Sequence, residues 1–243
     1  MMSPPRFYLD QPLASGARFT LPPGPARHAA RALRLSEGSL ITLFNGSGGE
    51  YEARIERIHR DDVAVSIAGH RAVERESRLR VMLAQGISSG ERMDYTLQKA
   101  VELGITAIQP LATRRSVVKL AGERSERRVA HWQGVVASAC EQCGRNTLPP
   151  VAQPLALANW LGTRAPGRLL FLSPLAEMRF ADLPPPEGLD TLVAGPEGGF
   201  EADELAALDA ALAIPVRLGP RVLRTETAAL AALATMQALW GDF

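Results

Sequence analysis

The chain has 243 residues, 46% of them hydrophobic, which suits one large or two modest domains with real cores. No apolar run reaches the roughly 20 residues that a bilayer requires, and Met1-Met2-Ser3-Pro4-Pro5-Arg6 lacks the apolar stretch of a secretory signal, so a cytoplasmic protein is expected. The net charge is only +1, but residues 1–150 carry 21 Lys and Arg against 15 Asp and Glu, while residues 151–243 carry 6 against 11; this asymmetry, +6 against −5, points to an anionic partner for the first part.

Residues 1–70 read as mostly β. Arg6-Phe7-Tyr8-Leu9 is a short strand, and a short helix falls near Ala26 to Leu35. Ser39 to Phe44 alternates, Asn45-Gly46-Ser47-Gly48-Gly49 supplies a hairpin turn, and Tyr51 to Ile58 returns. Arg60-Asp61-Asp62 turns the chain into Val63 to Ile67. The picture is a small barrel or curled sheet. Val73 to Arg78 is charged without an apolar period and reads as a linker.

Strands and helices then alternate, which argues for an α/β layer fold. Leu79 to Ala84 is a strand, and Glu91 to Leu103 is a helix stopped by Gly104. Ile105 to Leu111 is a strand and Ser125 to Cys143 a long helix. Leu169 to Leu172, Leu189 to Ala194 and Val216 to Leu218 are short buried strands, with helices at Asp203 to Ala213 and Thr225 to Trp240. The last helix is apolar nearly all round, so it is buried on several sides. Either the core or a second subunit would cover it.

The two cysteines, Cys140 and Cys143, form a CxxC inside the long helix with no second pair, which favours a structural role over zinc or redox chemistry. The four histidines show no metal spacing, and His131 reads as a surface or packing residue. Arginine makes up 25 of the 27 basic residues. That fits phosphate forks and base stacking, and equally an arginine-rich proteome.

Two strand-to-helix loops carry the chemistry. In Gly195-Pro196-Glu197-Gly198-Gly199-Phe200 the glycines leave backbone N–H groups accessible to a ligand. In Leu218-Gly219-Pro220-Arg221-Val222-Leu223-Arg224-Thr225-Glu226 the strand breaks, Thr225 reads as an N-cap, and Glu226 suits the first helical turn. Arg224 stands against the helix dipole, so it calls for an anionic partner: Glu226, Glu197 or a ligand. Open parallel sheets bind ligands at the carboxyl ends of their strands. No GxxxxGK[ST] or GxGxxG pattern is present.

At this point the chain resembles the RsmE family of SPOUT methyltransferases. GPEGGF, LGPRVLRTETAAL and the C-terminal helix carry the resemblance. So do Arg6-Phe7-Tyr8, His28 through Leu33-Arg34-Leu35, Phe44-Asn45-Gly46, Gly90 to Met93 through Gln98 to Gly104, and Ala139 to Arg145. Where the family often has Glu before Arg115-Ser116, this chain has Arg114.

The resemblance implies a PUA-like RNA-binding β-barrel domain at residues 1–72. It further implies a SPOUT α/β domain with a trefoil knot at residues 73–243, and a homodimer. The implied cofactor is S-adenosylmethionine, and the implied reaction is methylation of N3 of one uridine in 16S rRNA of the small ribosomal subunit. Leu172, Gly195, Leu218, Gly219 and Leu223 are expected to hold the cofactor, with Gly198, Gly199 and Thr225 nearby. Arg224 is expected to stabilise the uracil anion or grip a phosphate, with Glu197, Glu226 or water taking the proton. Arg6, Arg31 and Arg34 are the expected RNA contacts. The competing reading is a catalytically idle RNA-binding or assembly factor that kept the fold.

Overall fold

The computed structural model describes residues 4–116 and 122–243. Its contacts divide the chain into two units, one of Met1–Glu76 with Ala137–Leu148, the other of Ser77–Val136 with Pro149–Phe243.

The first unit holds β1 (Arg6–Tyr8), β2 (Arg18–Thr20), α1 (Pro23–Arg27), a π-helical turn at His28–Ala32, β3 (Leu40–Phe44), β4 (Glu50–His59) and β5 (Asp62–Arg71). They form one sheet in the order β1-β3-β4-β5-β2. Only the β1–β3 pair is parallel. Alternation drives it: Ala53 and Ile55 of β4 turn inward while Glu52, Arg54 and Glu56 face out. Two register shifts in the β4–β5 ladder curl the ribbon. Phe7, Leu9, Ile41, Leu43, Ile55, Val63 and Val65 form the core. Gly49, at φ +67, ends the predicted turn, where a Cβ would sit 2.2 Å from His70 Nε2.

The charged run after β5 differs from the expected free linker. Glu74 accepts a hydrogen bond from the Gly49 amide. Arg75 donates to Glu50 at 3.2 Å and to the Gly144 carbonyl at 2.9 Å. Glu76 pairs with Arg145, and Asn146 donates to the Val73 carbonyl at 2.6 Å. Lack of apolar period concealed an anchoring role carried by ion pairs and hydrogen bonds.

The second unit begins with β6 (Val81–Gly86), α2 (Gly90–Glu102) and β7 (Ala107–Ala112). Helix α3 (Glu123–Cys143) follows, its residues 137–143 grouped with the first unit. Then come β8 (Leu155–Ala156), α4 (Leu157–Leu161), β9 (Arg168–Leu172), a 3-10 turn at Phe180–Asp182 and β10 (Asp190–Ala194). The chain ends with α5 (Ala202–Ala210), β11 (Ile214–Val216) and α6 (Thr225–Trp240).

The sheet is all parallel, in the order β11-β9-β10-β6-β7-β8. Every residue of β10 is buried, as a central parallel strand requires. Gly104, at φ +82, follows α2 as anticipated. Helix α5 stops earlier than expected, and Leu212 at φ 56 takes the left-handed position usually given to glycine. Strand β11 starts earlier than expected, since Pro215 is tolerated on an edge strand. Arg168 grips buried Asp190 at 2.9 and 2.6 Å and lies 4.8 Å over the Trp240 ring. This ties β9 and β10 to the end of α6.

Cys140 is buried, and its thiol lies 3.7 Å from the Thr147 carbonyl. Burial pushes that thiol up to about 12. A structural role accounts for it.

Candidate active site

Strands β9, β10 and β11 run parallel, so their carboxyl ends share one side. Leu172 ends β9, Ala194 ends β10 and Val216 ends β11. The segments that follow them line a cavity of about 700 Å³. That is the size and place of a ligand site in an open parallel sheet. Of the residues expected there, Leu172, Gly195, Glu197, Gly199, Leu218, Gly219, Leu223, Arg224, Thr225 and Glu226 all line it.

Gly198 is the exception. Its carbonyl accepts from Arg115 at 2.9 Å, and a Cβ on it would come 2.8 Å from Arg115 Cβ. The glycine is needed for packing against Arg115.

The backbone between Leu218 and Leu223 is open. Among the described residues, the amides of Leu218, Gly219, Arg221, Val222 and Leu223 donate no hydrogen bond. Arg221 and Val222 are exposed to solvent, but Leu218, Gly219 and Leu223 are half-buried along the cavity wall, and their unpaired amides are available to a ligand's acceptors.

The start of α6 differs from expectation. Arg224, not Thr225, occupies the N-cap position, and it makes no side-chain capping bond. Thr225 is the first helical residue; its hydroxyl donates to the Gly195 carbonyl and accepts from Gln85 Nε2 at 3.0 Å. The hydroxyl joins two loops, a link that neither a cap nor a place beside the cofactor implied.

The three expected catalytic side chains have different surroundings. Glu197 Oε1 accepts from the Ser89 amide and hydroxyl, both at 3.1 Å, and from Arg92 Nη1 at 3.0 Å. Burial alone would raise the Glu197 carboxyl, but hydrogen bonds from its own backbone, Ser89 and Arg92 outweigh it and hold the group below its usual range. Glu226 is half-buried, and its Oε2 has no hydrogen-bond partner among the described residues. Arg224 is exposed, lines the cavity, and pairs with neither glutamate.

Arg92 and Arg115 also line the cavity and were not singled out from sequence. Arg92 lies in the first turn of α2, a cation against a helix dipole. Arg92 thus stands against a helix dipole just as Arg224 does. Arg114, the departure from the family pattern, meets Asp203 at 2.6 Å, and its amide donates to Glu204 at 3.0 Å. Arg115 grips Glu201 at 2.8 and 3.1 Å. The two arginines thus clamp the start of α5, and Asp203 compensates the charge at Arg114.

In the first unit, Arg6 departs from the role expected of it. It donates to Glu50 and Asn146, each at 2.6 Å, and to the Arg145 carbonyl at 3.2 Å, and its side chain is 12% exposed. It lies 4.9 Å over the Phe44 ring. Such a group braces the unit and has little face left for RNA. Arg31 is exposed but forks onto Asp61 at 2.6 and 2.7 Å. Arg34, at φ 51, is exposed, with no ion pair among the described residues.

Comparison with known proteins agrees with this geometry. An RNA methyltransferase domain model matches residues 75–237, and an RNA methyltransferase PUA domain model matches residues 26–68. Ribosomal RNA small subunit methyltransferase E of Mycobacterium bovis is 33% identical, over 96% of this chain and 91% of that protein. The Buchnera aphidicola (Schizaphis graminum) protein of the same name is 30% identical, over 98% and 97%. Among solved structures, the Neisseria gonorrhoeae ribosomal RNA small subunit methyltransferase E bound to S-adenosyl methionine is 42% identical, with a TM-score of 0.92 over 99% of this chain and 100% of that one. A protein from Legionella pneumophila assigned as a methyltransferase, in complex with S-adenosylmethionine, is 39% identical, with a TM-score of 0.96 over both full chains. A cavity at the carboxyl ends of a parallel sheet, an N-terminal β domain and full-length similarity converge, and the chain belongs to the ribosomal RNA small subunit methyltransferase E family of RNA methyltransferases.

Proposed function

We propose that this chain uses S-adenosylmethionine to methylate N3 of one uridine in 16S rRNA of the small ribosomal subunit. Residues 1–72 serve as the RNA-binding domain and residues 73–243 as the catalytic domain, whose 195–200 and 218–228 loops belong to a trefoil knot. The observation that carries this reading is the cavity with its unpaired 218–223 backbone. Relatives 39–42% identical across nearly the whole chain are bound to S-adenosylmethionine.

The residues present fit that cofactor. The open amides of Leu218, Gly219 and Leu223, with Leu172 and Gly195, offer hydrogen bonds to adenine and ribose, and the leucine side chains offer apolar walls. Gly199 and Thr225 stand nearby. When bound, the cofactor supplies an activated methyl group on its sulfonium.

The protein's task is to position the base and manage one proton. N3 lies on the Watson–Crick edge, so the uridine enters unpaired or flipped. Losing the N3 proton leaves negative charge on the ring oxygens, which a fixed cation stabilises. Arg224, unpaired at the cavity wall, serves that role. The Glu226 carboxylate, which lines the cavity and whose Oε2 has no partner among the described residues, takes the proton. Glu197 is the weaker base, since three donors stabilise its charged form. Arg34 and Arg31 reach RNA from the first unit.

A homodimer is part of this reading. Helix α6 packs on α2 and β10, yet Leu230, Ala231 and Ala234 remain half-buried, with Ala238 and Leu239 exposed. A second subunit would cover that face.

Calorimetry with S-adenosylmethionine separates the enzyme from an idle RNA-binding factor: folded protein that does not bind it sinks the enzyme reading. Mass mapping of small-subunit rRNA from a deletion strain, with and without the gene restored, tests the substrate. Loss of a methyl group at any other nucleotide would refute the site.

A further inference from the structure

We infer that Gln85 is the positioning residue of the cofactor pocket, one buried amide that sets both of its loops; this rests on the cofactor reading above. Gln85 is the fifth residue of β6 and is fully buried. It is not itself part of the cavity wall. Its Nε2 donates to the Gly86 carbonyl at 3.0 Å and to Thr225 Oγ1 at 3.0 Å, and lies 3.4 Å from the Gly195 carbonyl. Thr225 Oγ1 in turn donates to that same Gly195 carbonyl. Gly195 thus receives hydrogen bonds from strand β6 and from helix α6.

The consequence is geometric. The Gly195 carbonyl belongs to the Gly195–Pro196 peptide, and pinning its oxygen fixes the plane of the loop that continues to Glu197 and Gly199. Thr225 fixes the first turn of α6, with Arg224 and Glu226 on either side of it. One amide therefore holds the two halves of the cavity wall in register. Gly86 completes the junction, since a Cβ there would come 2.5 Å from Pro196 N.

The other end of the amide argues that this is not a packing role. Gln85 Oε1 is buried with no hydrogen-bond partner among the described residues. An unpaired buried acceptor opposes folding, and an apolar side chain of similar volume would avoid it. Turning the amide over would set its oxygen against two carbonyl oxygens. The two N–H donors are what the site uses.

The test is Gln85→Met, which keeps the volume and removes both donors and the unpaired oxygen. The expected result is a Tm equal to or above that of the wild type, with calorimetric Kd for S-adenosylmethionine raised about tenfold, the worth of one or two neutral hydrogen bonds. Thr225→Val probes the same link from its other end, should Gln85→Met not fold. Where both fold, the double variant should bind no worse than the weaker single, because both act on one junction. Wild-type affinity in Gln85→Met and in Thr225→Val overturns the inference. So do additive losses in the double variant, or a loss of affinity that tracks a fall in Tm. A wild-type protein that does not bind S-adenosylmethionine fails one step earlier and removes the cofactor reading itself.

Discussion

Arg92 Nη1 lies 3.0 Å from Glu197 Oε1, while Arg224, lining the same cavity, meets no carboxylate among the described residues. The pairing divides the work. Glu197 and Arg92 neutralise each other and fix the 195–200 loop to the first turn of α2. Arg224 keeps its charge available to a ligand.

Arg224→Ala should therefore leave the unfolding free energy within about 0.5 kcal/mol of wild type, as for an exposed side chain without an ion pair among the described residues. Turnover should fall roughly 100-fold, the scale on which a single preorganised donor acts on a developing anion. Steady-state kcat beside a thermal melt checks this, and unchanged turnover would remove Arg224 from the mechanism.

The two glutamates should separate in the same assay. Glu226→Gln removes the basic carboxylate and should lower kcat more than Glu197→Gln does. The pH dependence follows from the hydrogen bonds on Glu197, which hold its carboxyl below the ordinary range near 4.3. A group depressed on folding contributes stability above its unfolded value and loses it as pH falls through the folded one. The Glu197–Arg92 contact should thus persist from pH 8 to pH 5 and fail only below the ordinary carboxylate range. Cofactor affinity followed across that range reports it, and loss already at pH 6 would contradict the assignment.

Arg6 and Arg34 should part in opposite ways. Removing the guanidinium of Arg6 leaves Glu50 buried without its main partner, an effect on the order of 3–5 kcal/mol. Burial alone raises the Glu50 carboxyl, and Arg6 and Arg75 together bring it below its usual range. Denaturant melts of Arg6→Ala should show the loss. Arg34→Ala should melt as wild type and bind rRNA more weakly, with a shallower dependence on salt.

Cys140 should resist alkylation at pH 8 in the native protein, because burial holds its thiol near 12 and keeps it protonated. Modification should follow unfolding. Native-state labelling at Cys140, read by peptide mass, would place it outside the core.

Much of this protein was legible in the sequence. Alternation in β4, the glycine stop after α2 and the bounds of α6 follow from local rules, since each depends on neighbours a few residues apart. The two loops at 195–200 and 218–228 announced themselves through glycines and a misplaced arginine, and the resemblance supplied the chemistry. Arg92 was missed although the same dipole argument reaches it, because its partner Glu197 lies 105 positions further along the chain. Strands of two or three residues, such as β2 and β8, were beyond periodicity, which needs several turns of the pattern to register.

What the sequence alone determined was the order of the longer elements and the two loops that line most of the cavity, because strand ends and glycine turns are written in short stretches. What only the tertiary structure decided was how those residues are employed. Arg6 braces Glu50, Thr225 reaches Gly195, and Gln85 holds both loops, through hydrogen bonds that span 30 to 140 positions of the chain. Such bonds depend on which backbone groups the sheet order leaves side by side, and no local pattern records that.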